Sequence, residues 1–186
     1  MKQGPLPRST AWRSVAGCMV ASTVMLGRRE VRWPRDNVGR RIRFADGSVA
    51  QVYRETVVDR TPIDPCFLIV SFRLRRVRGR GHRLFRLESI LNTPLFVGFP
   101  GFVSKLWMAH DDHAIYRGLY EWDGPQLAEH YAGSLWRVLS LVSEHDSIDY
   151  RVFPGLRRDT VLSAPDVLDR YGRGGEGAWW RVVAAA

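Results

Sequence analysis

Residues 102–109 read Phe102-Val103-Ser104-Lys105-Leu106-Trp107-Met108-Ala109, and residues 115–122 read Ile115-Tyr116-Arg117-Gly118-Leu119-Tyr120-Glu121-Trp122. Both runs are rich in aromatic and β-branched residues. The polar segment around Asp111-Asp112-His113 separates them, which predicts two strands joined by a turn. Side chains alternate between the faces of a strand. Lys105 and Trp107 therefore share one face, with Ser104, Leu106 and Met108 on the other. On the next strand Tyr116, Gly118, Tyr120 and Trp122 share a face.

Working outward, Asp123-Gly124-Pro125 opens a long helix running to about Ser143, with Asp123 placed as N-cap and Pro125 in the first turn. Ile148 to Phe153 is a further strand. Upstream, Phe67 to Val77 begins as a wholly apolar strand and is broken at Gly79–Gly81. His82 to Phe96 carries Leu84, Phe85, Leu87, Leu91 and Leu95 near helical spacing, and Pro94 ends that helix at about Asn92. Between Cys66 and Leu156 the order is thus β-α-β-β-α-β, which predicts an α+β, ferredoxin-like module: an antiparallel sheet with two helices on one face. The other face needs a cover, and a second copy of the sheet would supply it, which predicts a homodimer.

The flanks are read as additions. Residues 1–62 form an N-terminal extension: a disordered leader over 1–14, a helix from Ser14 to Arg29, and a hairpin whose strands, 41–44 and 49–53, flank Asp46-Gly47. Residues 63–156 form the central domain. Residues 157–186 form a C-terminal extension with a short helix from Ser163, its cap, to Tyr171, a Gly-rich linker over 172–177, and the pair Trp179-Trp180, which is expected to dock on the body or on a partner subunit.

Composition narrows the function classes. The chain has 186 residues, 45% hydrophobic and 11% aromatic, with seven Trp, enough for a real core and unlike a disordered chain. The formal charge is +9, nearly all from Arg, because Lys occurs only at positions 2 and 105. Cys18 and Cys66 are too few for a disulfide framework and fit no zinc spacing, which suits a reducing cytoplasm. Val15-Ala16-Gly17-Cys18 is lipobox-like, but the apolar run follows the Cys instead of preceding it, and that run is too short to span a bilayer. No dinucleotide fingerprint, phosphate loop, nucleophile elbow or metal-ligand spacing occurs, so neither a cofactor nor a metal is expected.

Pro100-Gly101-Phe102, Lys105-Leu106-Trp107, Gly118-Leu119-Tyr120 and Ala128-Glu129-His130-Tyr131 together resemble the mono-oxygenase (YdhR-like) branch of the dimeric α+β barrel, or antibiotic-biosynthesis-monooxygenase-like, superfamily. The resemblance covers about ninety residues, half of the chain. It implies a homodimer and a cavity between the sheet and its helices. Its members include cofactor-free oxygenases of aromatic polyketides, haem-degrading enzymes, isomerases, decarboxylases and proteins of unknown activity, and the fold alone does not choose among them.

The expected ligand is a small apolar or aromatic molecule. Trp107 beside the bare Gly118 offers room for a flat ring, although a core Trp–Tyr pair with a close-approach glycine fits the same pattern. Phe72, Phe85, Trp122 and Trp136 complete the expected lining. Tyr120 is placed as a proton or hydrogen-bond donor. His82, Glu88 and Asn92 are the remaining candidates for polar chemistry, with Glu88 as a base if it faces the cavity. Asn92 equally suits a helix end. His110, His113, Asp111 and Asp112 read as a polar turn, not a metal site. The expectation is an enzyme of secondary metabolism, a cofactor-independent monooxygenase or a cyclase/isomerase. The alternative is a non-catalytic module. Its Arg73, Arg75, Arg76, Arg78, Arg80, Arg83 and Arg86 would dock an anion such as an acidic carrier protein. Nucleic acid is disfavoured because no RNA-binding signature is present.

Overall fold

The computed structural model describes residues 5–75, 93–172 and 178–186, apart from the His145 side chain. Its strands are β1 (Val31–Arg32), β2 (Arg41–Phe44), β3 (Val49–Val58), β4 (Pro65–Arg73), β5 (Phe102–Met108), β6 (Ile115–Asp123), β7 (Asp149–Pro154) and β8 (Val182–Ala185). The helices are α1 (Arg8–Gly27), α2 (Pro125–Val142) and α3 (Arg158–Ser163).

All eight strands belong to one antiparallel sheet, ordered β7-β4-β6-β5-β3-β2-β8, with β1 paired to β3. This corrects the expectation of a four-stranded ferredoxin-like module carrying separate additions. The hairpin does turn at Asp46-Gly47, but its second strand is ten residues long. Its far half pairs with β5 from Val52–Met108 to Val57–Ser104, so the hairpin continues the sheet. The reason is general: the backbone groups of an apolar edge strand need partners, and a second long strand supplies them. The tail extends the sheet again through Ile42–Ala185 and Phe44–Val182. The helix expected over 82–92 lies outside the described residues.

The second sheet face is also covered differently. Ile42, Phe44, Phe67, Ile69, Leu106, Leu119 and Phe153 are buried there against Val161, Leu162, Leu168 and Trp180 of the C-terminal segment. Trp180 packs on Phe153, ring centroids 5.2 Å apart, and Arg151 lies over its ring. The chain thus covers its own sheet, and the need for a second copy to do so disappears.

The first face carries α1, α2 and the turn over 93–99. Leu68, Val70, Trp107, Tyr120 and Trp122 pack there under Tyr131, Leu135 and Leu139 of α2. Helix α1 begins within the expected leader, and the described residues before it are tied down: Arg137 Nε donates to the Leu6 carbonyl at 2.8 Å, and Leu6 N–H to that of Gly133. Its buried stripe is Ala11, Val15, Cys18 and Ser22. Ser22 Oγ donates to the Pro94 carbonyl and accepts from Gly98 N–H, both at 2.8 Å. A Cβ on Gly98 would lie 2.2 Å from the Cys18 carbonyl oxygen, so only glycine permits this approach.

Two expected caps serve other purposes. Asp123 Oδ1 accepts from the N–H groups of Ile63 and Asp64 at 2.8 Å, and α2 begins after Gly124 with no side-chain cap. Ser163 ends α3 instead of starting a helix, because Pro165 cannot continue it; a 3-10 segment, Pro165–Tyr171, follows.

Candidate functional site

A cavity of about 470 Å³ opens between the first sheet face and α2. The volume falls in the range of small-molecule sites. Phe72 of β4, Trp107 of β5 and Tyr116, Gly118 and Tyr120 of β6 form the sheet wall. Leu135, Val138 and Leu139 of α2 form the opposite wall, and Leu141 and Val142 stand at the exposed rim. Tyr53 of β3 joins the lining because β3 lies beside β5, a neighbourhood invisible to local sequence patterns.

Of the residues singled out from the sequence, Phe72, Trp107, Gly118 and Tyr120 line this cavity. Trp122 does not. It is fully buried between Phe102 and Tyr131, with its ring centroid 4.6 Å from that of Tyr131. Trp136 packs edge-on against Tyr150 and also lies off the lining. His82, Phe85, Glu88 and Asn92 lie outside the described residues. The space over Gly118 is already taken: a Cβ there would meet the Tyr120 ring at 2.7 Å and its hydroxyl at 2.9 Å. Glycine at 118 therefore lets Tyr120 lie flat along its own strand, and the ligand space lies beyond that ring.

Lys105 is the side chain that the sequence search passed over. Only 5% of it is exposed. Its Nζ sits 3.2 Å from the Trp107 ring centroid, 4.0 Å from that of Phe96 and 4.8 Å from that of Tyr120. Among the described residues no carboxylate forms a salt bridge with it. Loss of hydration, and secondarily the Arg54 guanidinium, hold its ammonium well below the ordinary lysine range. Ring faces attract a cation, but they do not replace its lost water. The signal was present in the sequence: one of only two lysines in an Arg-rich chain, at a strand position on the same face as Trp107.

One phenol, Tyr120, sits beside the amine, and a second, Tyr131, is bonded to it. Tyr131 Oη donates to Tyr120 Oη at 3.3 Å. Burial pushes the Tyr120 phenol above its usual range, and that of Tyr131 well above it, so both keep their protons at neutral pH. Trp107 is fixed by its Nε1–H, which donates to Thr56 Oγ1 of β3 at 3.0 Å. Arg54 spans the same edge, stacked over Trp107 and donating to Thr93 Oγ1.

The other candidate clusters have structural roles. Asp111 is buried and accepts from His113 N–H, Ile115 N–H and the Arg117 guanidinium. No group of three or more His, Cys, Asp or Glu among the described residues is arranged to hold a metal. Of the seven clustered arginines, only Arg73 and Arg75 are described. Arg73 pairs with Glu144, and Arg75 donates to the Ser143 carbonyl at the end of α2. Both cysteines are free and buried, and burial pushes the Cys66 thiol up to about 12.

No protein family, curated protein or solved structure is matched by this chain. No helix among the described residues is long and apolar enough to cross a membrane.

Proposed function

We propose that this protein is a small-molecule enzyme acting on an apolar, cyclic or polyketide-like substrate held between the sheet and α2. The observation that carries this is the cavity itself, aromatic on the sheet side and aliphatic on the helix side, with a buried amine and a phenol inside it. An apolar wall supplies affinity, and a few convergent polar groups supply orientation and chemistry. An amine and a protonated phenol at one spot suit acid–base rearrangement of a carbon skeleton, so a cyclase or isomerase is favoured over a cofactor-independent monooxygenase. A cytoplasmic setting is in keeping with the two free thiols. Arg73 and Arg75, the two described members of the arginine cluster, are engaged at the end of α2.

The test is binding of 2-methylnaphthalene, a flat probe with no reactive group, followed by quenching of tryptophan fluorescence and by native mass spectrometry. The expected result is saturable one-to-one binding. Leu139→Trp, which fills the helix side of the cavity, is expected to weaken it about tenfold or more, ~1.4 kcal/mol. Absence of saturable binding to the wild-type protein would refute the proposal.

A further inference from the structure

We propose that Lys105 is a Schiff-base nucleophile, and that the substrate of this cavity carries an aldehyde or ketone next to its apolar ring system. The inference rests on the cavity proposed above as the substrate site and assigns it a substrate class.

Three observations support it. The Nζ atom lies inside an apolar, ring-lined space, and no described carboxylate pairs with it. A structural lysine buried this deeply ordinarily has a carboxylate or carbonyls around its ammonium. Its burial instead favours the neutral amine, the form that attacks a carbonyl. Finally, the Tyr120 hydroxyl accepts from Tyr131, an arrangement that leaves its own proton to be offered to a ligand oxygen.

The chemistry balances without an oxidant or reductant. The Nζ lone pair forms a bond to the carbonyl carbon, and the C=O π pair moves onto oxygen. That oxygen takes a proton, giving a carbinolamine. Loss of the hydroxyl as water leaves the imine, so amine plus carbonyl gives imine plus one water. The protonated imine then acidifies the neighbouring C–H bonds, and loss of such a proton gives an enamine. Enamine carbon is the nucleophile that a cyclisation or a double-bond shift requires. Tyr120 is placed to hand its proton to the departing oxygen.

The sequence makes the test clean, because Lys2 and Lys105 are the only lysines. The full chain is incubated at pH 7 with 2-naphthaldehyde and cyanoborohydride, and adducts are mapped by peptide mass spectrometry. Lys105 is expected to be labelled at least about tenfold faster than Lys2, each unit by which a lysine pKa falls toward the working pH raising the neutral fraction about tenfold. Excess 2-methylnaphthalene should suppress labelling at Lys105 only. Lys105→Met should lose that adduct while unfolding cooperatively in urea, which shows that the variant is folded. Tyr120→Phe should slow labelling at Lys105 by a larger factor than it weakens hydrocarbon binding. If 2-methylnaphthalene binds but Lys105 is labelled no faster than Lys2, the Schiff-base assignment is overturned and the cavity assignment stands. If 2-methylnaphthalene does not bind, both fall.

Discussion

Lys105 costs this protein stability. Its ammonium is disfavoured in the fold but fully hydrated in the unfolded chain, so at neutral pH the unfolded state binds more protons. Stability then rises with pH, and the penalty disappears as pH climbs to the unfolded lysine value of about 10.4. Lys105→Met keeps the volume and removes the charge. It is expected to raise the urea-unfolding free energy at pH 7 by about 1–3 kcal/mol, the usual cost of a poorly satisfied buried polar group. The difference between wild type and variant should shrink between pH 7 and pH 10. A variant less stable than wild type at pH 7 would mean that the amine has a partner that holds the fold together. Residues that destabilise a fold while facing a cavity are typical of functional sites.

At the scale of elements, Arg117 joins parts of the chain that no local pattern connects. Its guanidinium pairs with Asp111 in the β5–β6 turn and with Asp46 in the β2–β3 turn, and its Nε–H donates to the Trp179 carbonyl in the tail. Arg117 is fully buried, and its ring neighbour is Phe44. Breaking a buried pair by removing one partner leaves an uncompensated charge, which costs about 3–5 kcal/mol. Arg117→Met is therefore expected to lose about that much in urea unfolding at pH 7. Loss below about 1 kcal/mol, the range of exposed pairs, would show that the three segments are held by apolar packing alone. By alternation Arg117 falls on the strand face opposite Tyr116 and Gly118. Its inward pairing became visible only once β2 and the tail were seen to lie on that face.

For the whole molecule, the decisive feature is that one chain covers both faces of its sheet. The C-terminal segment places Val161, Leu162, Leu168 and Trp180 over Phe67, Ile69, Leu106 and Leu119. A chain stopped at Gly155 should expose that face and self-associate or fail to fold. Size-exclusion chromatography and urea unfolding check this. A soluble monomer with an unchanged urea midpoint would show that the extension is dispensable.

The sequence by itself determined the faces. Alternation placed Lys105, Trp107 and Tyr120 on one side of two adjacent strands, Asp46-Gly47 turned the hairpin, and Pro125 began the long helix. These are short-range effects, governed by backbone sterics and a period of two or 3.6 residues. Tertiary structure alone decided which strands became neighbours. Pairing of β3 with β5, and of β8 with β2, joins segments far apart in the chain through backbone hydrogen bonds that any sequence can make. That pairing converted a four-stranded sheet with appendages into a single eight-stranded one. It brought Tyr53, Arg54 and Thr56 to the edge of the cavity. The turn over 93–99, packed on the same face, adds the Phe96 ring over the Lys105 amine, and so the chemistry of that amine is a property of the fold and not of the residue.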